Sequence, residues 1–146
     1  MHKLKILFLC TGNSCRSQMA EGWGKHLHPD RYEFYSAGIE KHGLNPLAVR
    51  VMAEAGVDIS DQRSKLLSEL EPADFTYVIT VCDHAHEQCP LFPGKAIILH
   101  REFPDPPRLA QNATGEKEAL GHYRTVRDAI RQYLATLPDT LDARSH

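Results

Sequence analysis

An α/β fold in one domain is expected for this chain: a four-stranded, mostly parallel sheet flanked by helices. Three observations lead there. Short apolar runs of strand character alternate with stretches of helical periodicity. Strands separated by helices join by right-handed crossovers, which makes neighbouring strands parallel. The 146 residues suffice for one hydrophobic core.

The elements follow in order. "KILFL" (5–9) is a continuous apolar run, as in a strand buried on both faces. "SQMAEGWGKHL" (17–27) sets Met19, Trp23 and Leu27 at helical spacing, with Gly22 and Gly24 as weak points. "YEFYSAG" (32–38) alternates and stops at glycine, which predicts a strand. "NPLAVRVMAEAG" (45–56) predicts a helix capped by Asn45, with Pro46 in its first turn and Gly56 as its stop. "SKLLSEL" (64–70) reads as a short helix, and "FTYVITV" (75–81) and "KAIILH" (95–100) as strands. Residues 101–115 are a proline-rich loop. Residues 116–137 form a long amphipathic helix burying Leu120, Tyr123, Val126, Ile130, Tyr133, Leu134 and Leu137. The tail 138–146 is expected to fray.

Composition narrows the function classes. A net charge of −2 provides no basic field for nucleic acid or membrane surfaces. No apolar run approaches the roughly 18 residues of a membrane span. The five-residue run at the start is too short for a signal-peptide core. A cytoplasmic setting is therefore expected, where thiols stay reduced and four cysteines suggest metal or redox chemistry. Nothing calls for an obligate oligomer, so a monomer is expected.

The most informative stretch is "CTGNSCRS" (10–17), between the first strand and the first helix. Ligands of such sheets bind beyond the strands' carboxyl ends. Thr11, Gly12, Asn13, Ser14, Cys15, Arg16 and Ser17 can wrap an oxyanion, with backbone N–H groups and the helix N-terminus pointing inward. Arg16 offers a planar fork to two oxygens. Gly12 gives the loop conformational freedom and Asn13 can tie it together. The same field lowers a thiol's pKa, so Cys10 is expected to be a thiolate, with Ser17 donating to it. A nucleophile under a tetrahedral-anion cradle suits displacement at phosphorus or a phosphorus look-alike. Cys15 is expected to be an accessory or oxidation-prone thiol and not a required one. Asp105, in "FPDPPR" and stiffened by Pro106, is the acid for the leaving oxygen.

"VCDHAHEQC" (81–89) holds Cys82, His84, His86 and Cys89, and three readings of it stay open. Two sulfurs and two imidazoles could hold zinc, although six intervening residues exceed the usual two to four between paired cysteines. The cysteines could form a structural disulfide, or be a thiol pair that does chemistry. On one continuous helix they would lie about 10.5 Å apart along the axis, beyond the roughly 7 Å between Cα atoms that a disulfide spans. A disulfide between them requires the segment to leave that shape.

From end to end, with "CTGNSCRS" near the start and "DP" late, the chain resembles the low-molecular-weight phosphatase superfamily. Within it, "LCTGNSCRSQMAEGWGK" (9–25) and the Cys82/Cys89 pair are similar to the thioredoxin-coupled arsenate reductases. The resemblance implies arsenate as substrate, no resident cofactor or metal, and thioredoxin as external reductant. It implies that Cys10 attacks arsenic(V), assisted by Arg16 and Asp105. Cys82 then attacks Cys10, and Cys89 attacks Cys82. Phosphatases of the superfamily carry two aromatic residues after "DP", where this chain has Pro107 and Arg108. Some members bind potassium through residues matching Asn13, Glu21 and Ser36 plus a threonine and an aspartate near position 64. This chain has "DQRSK" (61–65) there, and the Lys65 side chain is expected to replace the ion. The alternative function is a tyrosine phosphatase working through a phosphorylated Cys10.

Overall fold

The structure, a computed structural model, describes residues 3–82 and 94–141. His84, His86 and Cys89 lie outside the described residues.

Four strands form one wholly parallel sheet in the order β2-β1-β3-β4: β1 (Leu4–Leu9), β2 (Tyr32–Ala37), β3 (Tyr77–Thr80) and β4 (Ile97–His100). β1 is central, pairing with β2 from Leu4↔Tyr32 to Leu9↔Ala37 and with β3 from Ile6↔Tyr77 to Leu9↔Thr80. Ile6, Leu7, Phe8 and Leu9 are fully buried, as a strand covered on both faces requires.

One face of the sheet carries the larger core. Ile6, Phe8, Phe34 and Ile79 pack there with residues of α1 (Arg16–Leu27), α2 (Pro46–Glu54) and α4 (Glu116–Ala135). The glycines of α1 are contact points. A Cβ on Gly24 would fall 2.6 Å from the Phe34 ring, and one on Gly22 would fall 2.5 Å from Ile59 Cγ2. Helix propensity yields here to close packing. On the other face Leu7, Leu9 and Val78 pack with Phe75, Leu67 and Leu70.

α2 begins as its sequence predicts: Asn45 Oδ1 accepts from the N–H groups of Leu47 and Ala48. Three expectations are corrected. Residues 64–70 make only a 3-10 turn at Leu67–Glu69, because strand-like bonds to Gly38 hold the preceding residues extended (Gly38 N–H to Lys65 O, Leu67 N–H to Gly38 O). The loop 101–115 contains a helical turn, α3 (Pro106–Leu109), and a 3-10 turn at Ala110–Asn112. Pro106 starts α3 because the first helical position needs no N–H partner. Of the tail expected to fray, Leu141 is buried in the core, and 142–146 lie outside the described residues.

Candidate active site

The loop after β1 becomes a cradle because neighbouring segments draw its carbonyls outward. Thr11 O accepts from Glu40 N–H at 3.0 Å, and Gly12 O from His42 N–H at 3.1 Å. Asn13 O accepts from Gln18 Nε2 at 3.1 Å, and Ser14 O from Asn45 N–H at 3.0 Å. In a trans peptide the following N–H points opposite to the carbonyl. The N–H groups of Gly12, Asn13, Ser14 and Cys15 are thereby turned inward, and the N-terminus of α1 adds its partial positive charge.

Asn13, and not Gly12, is the left-handed residue of the loop, with φ 47°. Asparagine tolerates this region better than most residues, and side-chain bonds hold it there. Its Oδ1 accepts from Lys65 N–H at 2.7 Å and from Gln18 Nε2 at 3.1 Å. That fixes the amide so that Nδ2 donates to Ser17 Oγ at 2.9 Å. With its oxygen accepting, the Ser17 hydroxyl proton turns to Cys10 Sγ, 2.9 Å away. Three side chains and a backbone amide thus aim one donor at the Cys10 sulfur.

Two buried cysteines share the loop. Cys10 lines the cleft above the cradle, a space of about 200 Å³ also bordered by Arg16, Asp105, His42 and Pro107. Burial pushes the Cys15 thiol well above its ordinary value, Asp105 and Cys10 add to the rise, and Arg16 opposes it. A raised pKa leaves less of the reactive thiolate at Cys15.

Arg16 is buried, its guanidinium donating to Phe103 O at 3.2 Å and Val81 O at 3.5 Å. Its Nε lies 3.7 Å from Asp105 Oδ1. Asp105 stands at the N-cap position of α3, extended at φ −84° and ψ 109°, and its carbonyl accepts from Leu109 N–H. The carboxyl is 28% exposed at the cleft, open enough to exchange a proton with a ligand.

Cys82 follows directly on Val81, whose carbonyl holds Arg16 and whose N–H binds Leu9 O at 2.9 Å. Its Sγ lies 3.9 Å from Leu9 O, beside the peptide leading into Cys10. Cys82 is disulfide-bonded, whereas Cys10 and Cys15 are free thiols. A bonded sulfur is no thiolate ligand, so Cys82 does not serve a zinc set in this state.

Beside the cradle, Ser36 Oγ donates to Glu21 Oε1 at 2.6 Å and Lys25 Nζ pairs with Glu21 Oε2 at 2.5 Å. Lys65 Nζ lies 3.8 Å from Glu21 Oε1 and donates to Arg63 O at 3.0 Å. Burial lowers the Lys65 pKa, and the Glu21 carboxylate works against that.

Sequence reasoning missed several parts. A Cβ on Gly38 would fall 2.6 Å from Thr11 O, 2.8 Å from Cys10 O and 2.9 Å from Asn13 N, all backbone atoms. Its signal was a glycine ending β2 at the sheet's carboxyl edge. Gln18, fully buried in the first turn of α1, and Tyr123, whose hydroxyl accepts from Asn45 Nδ2 at 3.0 Å, left no comparable signal. A groove of about 740 Å³ lined by Phe75, Ala96 and Ile97 lies at the opposite edge of the sheet, away from these groups.

Known proteins share this arrangement of chain. A family model described as low molecular weight phosphotyrosine protein phosphatase matches residues 5–146. The chain is 48% identical over 142 residues to an arsenate reductase of Halalkalibacterium halodurans, covering 96% of this chain and 99% of that one. It is 48% identical over 137 residues to an arsenate reductase of Bacillus subtilis, covering 92% and 95%. A solved structure described as an arsenate reductase in the phosphate binding state matches with a TM-score of 0.77 and 31% identity, covering 92% of this chain and 95% of that one.

Proposed function

The chain belongs to the low molecular weight phosphotyrosine protein phosphatase family, and on that premise we propose that it reduces arsenate to arsenite. The state of the cysteines carries the reading. Cys10 is free under an oxyanion cradle, while Cys82, beside the same strand end, is bonded to neither cradle cysteine.

The steps balance as follows. The Cys10 thiolate attacks arsenic(V), and Asp105 protonates the oxygen that leaves as water. The inward N–H groups and Arg16 hold the remaining oxygens. Cys82, as a thiolate, attacks Cys10 Sγ. The S–As bond breaks, its electron pair stays on arsenic as arsenic(III), and arsenite leaves a Cys10–Cys82 disulfide. Cys89 attacks Cys82 and releases the Cys10 thiolate. The remaining disulfide takes two electrons from the dithiol of thioredoxin. A disulfide on Cys82 with Cys10 free matches the end of this sequence.

The potassium site of some relatives does not fit this chain. Glu21 already meets two ammonium groups, Lys25 and Lys65, so Lys65 serves as the cation beside the cradle. Exchanging sodium for potassium at constant ionic strength leaves turnover unchanged, and a several-fold rise contradicts this assignment.

The test of the function is NADPH oxidation coupled through thioredoxin reductase and thioredoxin, with arsenate as substrate. Wild type turns over. Cys82→Ser and Cys89→Ser do not, yet both keep hydrolysis of a small aryl phosphate. If both variants reduce arsenate like wild type, the relay is wrong. If wild type hydrolyses aryl phosphate but never consumes NADPH, the chain is a phosphatase.

A further inference from the structure

Tyr123 takes no part in the steps above, yet it links α4 to the cradle. It stands on the buried face of α4 with Leu120, Val126, Ile130 and Leu134, and is itself buried. A tyrosine in such a place needs a partner for its hydroxyl. Here the oxygen accepts from Asn45 Nδ2 at 3.0 Å. Burial raises the Tyr123 pKa, the bond from Asn45 opposes this, and Cys15 and Asp105 add to the rise. The hydroxyl therefore keeps its proton throughout the neutral range, and the link does not titrate there.

Asn45 commits every polar group it has. Its Oδ1 accepts from Leu47 N–H at 2.8 Å and Ala48 N–H at 3.3 Å, and its carbonyl accepts from Val49 N–H at 3.1 Å. Its own N–H donates to Ser14 O at 3.0 Å. Ser14 O and Cys15 N–H belong to one peptide, so drawing the carbonyl outward turns the N–H inward. Serine or aspartate would cap α2 about as well as asparagine does. Of the three, only asparagine adds an amide N–H donor for Tyr123. The cap fixes Asn45 relative to α2 alone, whereas the Tyr123 bond fixes it relative to α4. α4 also packs against α1, which begins at Arg16 directly after the loop. The carbonyl of the Ser14–Cys15 peptide and the helix that follows it are thus both referenced to α4. We infer that Tyr123 is a positioning residue for the oxyanion: its hydroxyl holds Asn45, and Asn45 holds the Ser14–Cys15 peptide with its N–H turned into the cradle. This strut touches no reacting atom. It rests on the reading of the loop as an oxyanion cradle, and deepens it by tying anion affinity to a helix outside the loop.

The experiment is a double-mutant cycle read by calorimetric titration of inorganic phosphate into the full-length chain in phosphate-free buffer, with arsenate steady-state kinetics alongside. Tyr123→Phe removes the hydroxyl alone, and Asn45→Ser keeps a capping oxygen but loses Nδ2. Each weakens phosphate binding about fivefold, the scale of one neutral hydrogen bond. The double variant binds no more weakly than the weaker single one, because both substitutions remove the same link. For arsenate, KM rises in step with the phosphate Kd while kcat stays within about twofold, as expected for lost binding and not lost chemistry. A Tyr123→Phe Kd within about twofold of wild type, or single losses that multiply in the double variant, overturns the inference even where Tm falls. Phosphate affinity that depends on Tyr123 in a protein that never reduces arsenate would sink the functional reading and leave this strut standing.

Discussion

The two walls of the cleft are built differently. On the cradle wall, residues 11–14 commit all four carbonyls to partners on residues 18, 40, 42 and 45, and Asn13 is held by side-chain bonds as well. On the facing wall, Asp105 stands at the start of a four-residue helix, fixed by the proline that follows and a one-turn backbone bond. A preorganised cradle stabilises charge without rearranging during the reaction. An acid must move a proton and gains from exposure. Damage to the cradle wall is therefore expected to be collective, and damage to the facing wall local.

The largest effect tests that collectivity. Gly38→Ala forces a Cβ against three backbone atoms that cannot swing aside. Phosphate binding and arsenate turnover fall together by more than about 100-fold, with a lowered Tm. If turnover falls and phosphate affinity is kept, the cradle is less interlocked than its carbonyl bonds imply. Asp105→Asn probes the facing wall. It lowers kcat by roughly 10²–10³-fold, in the range of a lost general acid, while phosphate Kd stays within a few-fold. Equal losses in both measurements would place Asp105 in the cradle.

Smaller effects sharpen the contrast. Ser17→Ala removes the donor aimed at Cys10 and leaves Asn13 Nδ2 without its acceptor. A loss of about tenfold in kcat/KM for arsenate follows in the coupled assay. The smallest effect concerns Glu69, which accepts from Leu66 N–H beside the Gly38 bridge and pairs with Lys41 and Arg63. The Leu66 bond is the main cause holding its carboxyl down at about 2. A depressed carboxylate contributes stability above its unfolded pKa and loses it as pH falls through the folded one. Glu69→Gln accordingly lowers Tm slightly at pH 7, and the difference closes between about pH 4.5 and pH 2.

What could be read from sequence follows the range of the interactions. β1 and α2 were legible because burial on two faces and an Asn-Pro cap are written in neighbouring residues. Cys10, Arg16 and Ser17 were legible because one loop holds them all. Gly38 and Gln18 were not, because each acts through contacts with segments distant in sequence, which leave no periodic trace. The helix expected at 64–70 failed for the same reason: its bonds to Gly38 outweigh local propensity. The fraying expected after 137 missed Leu141, whose partners belong to the tertiary core. The raised Cys15 pKa could not be read from sequence, because it comes from burial.

The central claim is that oxidation starts at Cys10 and passes to Cys82. Its most direct test is peptide mapping by mass spectrometry of Cys89→Ser protein, fully reduced, treated with arsenate and then trapped in acid. A disulfide between Cys10 and Cys82, with Cys15 unmodified, is the predicted result. Cys10 remaining a free thiol, or bonded to Cys15, would contradict the account.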